Sequence, residues 1–199
     1  MLSIPELEHL QEARARISGS LHRTPVASSR ALSERVGRPV FLKCENLQRT
    51  GSFKVRGALN RILELDNMAR GLGVATVSAG NHAQGVALAS KNLGIKAVIV
   101  MPQTTPEIKV RSVRDHGAKV VLKGDAFDEA AAHAQELIAK HGYTYIPPFD
   151  DPDVIAGQGT VAMEIMWQFS KPIHAIFVCV GGGGRIAGIA AYIKYLRPE

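Results

Sequence analysis

The chain has 199 residues, 46% hydrophobic and 21% charged, the composition of a globular protein with one or two modest domains. Its net charge of +6 is spread along the chain, aromatics are only 6% and no nucleic-acid motif is present, which argues against a nucleic-acid partner. No apolar run is long enough to span a bilayer, and the basic balance favours an anionic ligand.

The N-terminus carries Ser3-Ile4-Pro5-Glu6, a capping box ahead of an amphipathic helix with Arg14 and Arg16 near its end. No apolar signal-peptide core follows the start, and a cytoplasmic protein is expected. From Val40 the pattern alternates between short apolar runs and helical stretches. Strands are predicted at Val40–Cys44, Gly73–Ser78, Lys96–Met101, Ala118–Lys123, Tyr143–Ile146 and Ala175–Val180. Helices are predicted at Phe53–Leu65, Asn81–Leu93, Pro106–His116, Ala126–His141, Val154–Phe169 and Gly184–Tyr195. Near-continuously hydrophobic strands linked by helices predict an α/β fold with a parallel sheet covered on both faces. Gly94 and Gly142 mark helix ends, and Pro147-Pro148 with Asp150-Asp151-Pro152 marks a loop. Cys44 and Cys179 read as buried thiols in a reducing compartment without metal-ligand spacing. Asp150, Asp151 and Asp153 read as a solvated acidic turn. No metal site is predicted.

Three segments carry chemistry. In Thr50-Gly51-Ser52-Phe53-Lys54 a tight turn can aim Lys54 into a cleft, where burial and a helix N-terminus lower its pKa and make it nucleophilic. Lys43, Arg56 and Arg61 read as surface charges. Ser78-Ala79-Gly80-Asn81-His82 joins a strand to a helix, where unpaired N–H groups suit a carboxylate; a simple cap by Ser78 or Asn81 is the alternative. Gly181, Gly182, Gly183 and Gly184 also precede a helix and suit a phosphate cradle. Together they are what a protein needs to hold pyridoxal phosphate: an amine, a partner for the ring hydroxyl and a glycine cradle. Gly182-Gly183-Gly184-Arg185-Ile186-Ala187 equally fits the G-x-G-x-x-A dinucleotide fingerprint, so a nicotinamide cofactor stays open on the glycines alone.

The run Lys43–Ala58, with Ser78–Gly85, Ile155-Ala156-Gly157-Gln158-Gly159-Thr160 and Val180–Gly184, resembles the threonine and serine dehydratases. These are tryptophan-synthase-β-like (fold type II) pyridoxal phosphate enzymes, a branch that includes serine racemase. The similarity runs from about Arg23 to the end. It implies two open αβα domains with the cofactor between them, a large one from residues 1–68 plus 149–199 and a small one from 69–148. It implies that Lys54 carries the cofactor and removes the substrate α-proton, that Phe53 packs near the ring and that Asn81 binds its hydroxyl. Gly181 to Gly184 would hold the phosphate. Ser78, Ala79, Gly80, Asn81 and His82 would receive the substrate carboxylate. Threonine would give 2-oxobutanoate and ammonia, a reaction of isoleucine biosynthesis, and serine would give pyruvate.

Racemase-like members carry serine at the position of Ala79, and alanine transfers no proton, so elimination is expected over racemisation. Arg185 departs from the family, which has an apolar residue there. It either adds a phosphate contact or disturbs the helix start. Relatives continue past Glu199, so a truncated form is expected, with a non-catalytic cofactor-binding fragment as the alternative. The segment beyond would supply further strands, the partner of the pyridine nitrogen and a cation site. The complete protein would be a homo-oligomer acting on a small amino acid.

Overall fold

The computed structural model describes residues 5–198. Ser3 and Ile4 of the predicted capping box lie outside the described residues. Helix α1 (Leu7–Ile17) has Glu6 at its N-cap without a side-chain cap bond, and buries Leu10, Ala13 and Ile17 on one face. Strand β1 (Val26–Ser28), helix α2 (Arg30–Val36) and strand β2 (Phe41–Lys43) follow. Two 3-10 turns, Glu45–Leu47 and Arg49–Gly51, lead into α3 (Lys54–Leu63). Beyond α4 (Asn67–Leu72), strands and helices alternate: β3 (Val74–Val77), α5 (Asn81–Asn92), β4 (Ala97–Met101), α6 (Glu107–Asp115), β5 (Lys119–Leu122), α7 (Phe127–His141) and β6 (Thr144–Tyr145). Two long helices, α8 (Pro152–Gln168) and α9 (Gly184–Leu196), complete the order.

The main sheet has the order β5-β4-β3-β6 with every neighbour parallel. Register pairs Val74 with Ala97 and Thr144, and Val98 with Lys119. Strands β3 and β4 are buried at every residue, as apolar runs covered on both faces must be. Alternate side chains divide between the faces. Val74, Ile99 and Met101 pack with Ala83, Val86 and Val110 of α5 and α6. Val77 and Val100 pack with Ala130 and Ala134 of α7 on the other side. Gly94 and Gly142 take left-handed φ of 67° and 70° at the ends of α5 and α7, as predicted.

A second layer is helical: α8 lies against α1, α3 and α9. Its glycines allow this. A Cβ on Gly157 would stand 2.7 Å from the Arg56 carbonyl oxygen, and one on Gly159 would stand 3.0 Å from that of Gly188. Leu10, Ala156, Ala162, Ile189 and Tyr192 form the core there.

Four sequence expectations are corrected. Ala175–Val180 is not a strand: no other segment among the described residues hydrogen-bonds along it, and Phe177 is 95% exposed. The Val40–Cys44 strand exists as β2, but pairs antiparallel with β1 outside the parallel sheet. The thiols are free but not buried, Cys44 being half-buried and Cys179 exposed on that unpaired segment.

The fourth correction concerns charge. Arg56 is buried, with 1% of its side chain exposed. Its Nε donates to Glu45 Oε2 at 2.7 Å and its Nη1 to Glu164 Oε1 at 2.7 Å. Lys43 Nζ donates to Glu164 Oε2 at 2.5 Å and to the Thr24 carbonyl at 2.7 Å. The Thr24 hydroxyl donates to Glu45 Oε1 at 2.5 Å. Burial alone would raise the Glu164 carboxyl; hydrogen bonds and charge from Arg56, then Lys43, outweigh it and hold the group below the usual carboxylate range. Burial lowers Lys43 despite the attraction of Glu164. Arg61 is partly buried and pairs with Asp151 at 3.0 Å. Asp151 also caps α8, accepting from the N–H groups of Asp153 and Val154. The acidic turn is therefore a cap and an ion pair, not a free solvated loop.

Removing one partner of a buried ion cluster leaves the others uncompensated, which costs more than the pair itself contributes. Arg56→Leu should destabilise the protein by about 3–5 kcal/mol in denaturant unfolding. A loss below about 1 kcal/mol would show that solvent reaches Glu45 and Glu164.

Candidate active site

Lys54 reaches its place through a strained turn. Thr50 has φ 64° and ψ 15°, a left-handed conformation costly for a β-branched residue, and Gly51 follows at φ 66°. The chain then enters α3 with Lys54 as its first helical residue. Two residues on, Arg56 points into the ion cluster and fixes the helix. Helix α5 crosses closely: a Cβ on Gly85 would stand 3.0 Å from the Val55 nitrogen. Lys54 Nζ donates to the Pro148 carbonyl at 2.5 Å. Burial, and then the charge of Arg185, push its pKa below the ordinary lysine value. No carboxylate pairs with it among the described residues.

The amine faces a cleft of about 270 Å³, near the lower end of the roughly 300–1,000 Å³ of small-molecule sites. Phe53, Pro148, Phe149, Gln158 and the loop Cys179–Arg185 line the rest of it. The glycine loop is built around Phe149. A Cβ on Gly184 would stand 2.7 Å from the Phe149 carbonyl oxygen, and one on Gly182 would run into the Phe149 ring. Gly183 takes φ 91° as the N-cap of α9, so the loop delivers its N–H groups at a helix N-terminus. Helix α9 starts cleanly at Gly184, undisturbed by Arg185. Gln158 is 1% exposed and its Oε1 has no hydrogen-bond partner in the protein, leaving an acceptor for a ligand donor.

The structure thus brings Phe53, Lys54 and Gly181 to Gly184 together. Ser78, Ala79, Gly80 and Asn81 stand outside that cleft's lining, at the start of the neighbouring helix α5. Gly80 is its N-cap and its N–H donates to Ser78 Oγ at 3.2 Å. Asn81 is exposed. His82 is buried, with Nε2 2.9 Å from the Ile146 carbonyl, which assigns the ring proton to Nε2 and leaves Nδ1 unpaired. Burial, with Lys54 nearby, lowers its pKa to about 4. Sequence reasoning missed the Pro148 carbonyl, Phe149, Gln158 and the Glu45–Arg56–Glu164 cluster. Within the cluster, Arg56 and Glu164 lie 108 residues apart along the chain, beyond the reach of local patterns.

Pyridoxal phosphate fits this donor set: a weakly basic amine, a loop that only glycine can form beside Phe149, and two cations with no carboxylate among the cleft's described residues.

Comparison with known proteins agrees. Residues 17–199 match the family model described as pyridoxal-phosphate dependent enzyme. The chain is 57% identical over 178 residues to "Threonine dehydratase biosynthetic, chloroplastic" of Arabidopsis thaliana, covering 88% of this chain and 30% of that protein. Its fold is similar to the structure of maize serine racemase, with TM-score 0.95 and 38% identity, covering 98% of this chain and 59% of that one. The processed form of threonine deaminase isoform 2 from Solanum lycopersicum gives 0.89 and 48%, covering 98% and 55%. The chain therefore spans between about three tenths and three fifths of the length of these relatives.

His82 makes the site acid-sensitive. Its folded pKa is about 4 against an unfolded 6.5, so between those values the unfolded chain binds a proton that the folded chain refuses, and stability falls as pH drops through that window. The full loss is about 3 kcal/mol. His82→Gln should flatten the slope of unfolding free energy against pH from about 6.5 to about 4; an unchanged slope would assign it to other groups.

Proposed function

Since this chain belongs to the family of pyridoxal-phosphate dependent enzymes, we propose that its protein is a threonine/serine ammonia-lyase, converting L-threonine to 2-oxobutanoate and ammonia, and L-serine to pyruvate and ammonia. One observation carries the proposal: Lys54, half-buried and without a carboxylate partner among the described residues, faces a glycine cradle across one cleft. Pyridoxal phosphate, when bound, supplies an aldehyde for the Lys54 amine and an electron sink for the substrate α-carbon. Lys54 would anchor it, and its free amine would take the α-proton from the substrate Cα. Its lowered pKa leaves more of the amine unprotonated at neutral pH, the form both roles need. Phe53 would pack beside the ring, and Gly181 to Gly184 would hold the phosphate through N–H groups. Asn81 would bind the ring hydroxyl from the start of α5. Ser78, Ala79, Gly80, Asn81 and His82 would receive the substrate carboxylate at the N-terminus of α5. His82 stays neutral and orients through the Ile146 carbonyl rather than exchanging protons.

In the same proposal residues 1–68 plus 149–199 belong to a large domain and 69–148 to a small one. The parallel sheet β5-β4-β3-β6 lies wholly in the second. The complete protein is a cytoplasmic homo-oligomer. No described helix is long and apolar enough to cross a membrane.

The likeness to maize serine racemase raises a second reading, racemisation of serine. Ala79 counts against it, because a methyl group offers no proton for the opposite face of the substrate. Incubation with threonine or serine and pyridoxal phosphate should release 2-oxo acid, and Lys54→Ala should cut the rate about 10²–10⁴-fold. D-serine forming faster than pyruvate would replace elimination by racemisation. Release of 2-oxo acid undiminished in Lys54→Ala would remove Lys54 from the mechanism.

A further inference from the structure

The cleft contains a second cation. Arg185 is the second residue of α9, and its guanidinium carbon lies 4.3 Å from the Phe53 ring centre, with Lys54 Nζ 5.6 Å from the same centre. Several arginines of this chain face carboxylates: Arg16 pairs with Glu64, Arg56 with Glu45 and Glu164, Arg61 with Asp151. Arg185 pairs with none among the described residues. Among the described residues its hydrogen bond runs from Nη2 to the Cys179 carbonyl at 2.8 Å, and its buried Nε has no partner there. A guanidinium has five donors in a planar fork. Here a ring face and one carbonyl hold it, and the residue lines the same cleft as the glycine loop. Two like charges in a cleft that holds no acid are mutually unfavourable unless an anion joins them.

We propose that the Arg185 guanidinium is a side-chain ligand for the phosphate of the molecule held in this cleft, adding a charged fork to the glycine N–H groups. The assignment rests on the proposed function for the identity of that molecule, and on the cleft's own charge for its anionic character. Fork geometry matches phosphate oxygens, and charge-assisted bonds are the stronger ones. Phosphate would also satisfy Nε and relieve the repulsion between Arg185 and Lys54. The competing role is a latch, in which the bond to Cys179 merely ties the loop to its helix.

Pyridoxal, which lacks the phosphate, separates the two. Binding of pyridoxal phosphate and of pyridoxal is titrated by visible absorbance on the wild type and on Arg185→Gln, Arg185→Leu and Arg185→Lys. The proposal expects Arg185→Gln and Arg185→Leu to weaken pyridoxal phosphate binding at least about tenfold. Pyridoxal affinity should stay unchanged, and Arg185→Lys should recover part of the loss. Equal pyridoxal phosphate affinity in all four proteins overturns it. Parallel losses for both ligands also overturn it, because they mark a latch. If the wild type forms no imine absorbance with either ligand, the proposed function fails and calorimetry with inorganic phosphate decides the inference alone. Arginine-dependent heat upholds it, and heat that is absent or arginine-independent overturns it.

Discussion

The Arg56 ion cluster governs the rest of the site. A guanidinium with 1% of its side chain exposed is held between Glu45, on the 3-10 turn before α3, and Glu164, on α8. Taking those charges out of water is costly, and good geometry on both sides offsets that cost only in one arrangement. The cluster thus ties the start of α3 to a distant helix. Lys54 lies one half-turn before Arg56 and points away from it, into the cleft. The left-handed Thr50-Gly51 pair sets the entry angle, and strain at that turn is sustained because the cluster anchors the first turn of α3.

Paired and unpaired cations divide the molecule by role. Arg16, Lys43, Arg56 and Arg61 are all matched with carboxylates and bind elements together. Among the described residues Lys54 and Arg185 are matched with no carboxylate, and they share one cleft beside a glycine loop. Desolvation weakens the hold of Lys54 on its proton without a compensating acid. That is what an amine needs in order to act as nucleophile and base. His82 shows the same logic in a neutral group, its ring set by the Ile146 carbonyl and its charge suppressed by burial.

Much of this was legible in the sequence. The strand–helix alternation pointed to the parallel sheet because β3 and β4 are apolar at nearly every position, and only full burial explains that pattern. Lys54 and the four glycines were found because turn chemistry and helix starts are local. Two kinds of feature were not legible. Ala175–Val180 has a strand's composition, but a strand is a paired state, and composition carries no information about the partner. Arg56 looked like a surface charge because its partner Glu164 is 108 residues away, and burial of a charge is decided by such partners. The glycines of Gly157-Gln158-Gly159 were legible as a motif, while their reason, the close approach of α8 to α3 and α9, is visible only in the packing.

The central claim is that the fold delivers one lysine, Lys54, to an aldehyde in the glycine-lined cleft. The most direct test is borohydride reduction after incubation with pyridoxal phosphate, followed by peptide mass mapping. A single pyridoxyl adduct on Lys54, absent after denaturation before mixing, is the result this account predicts. Adducts scattered over exposed lysines such as Lys109 and Lys119, with Lys54 unmodified, would contradict it.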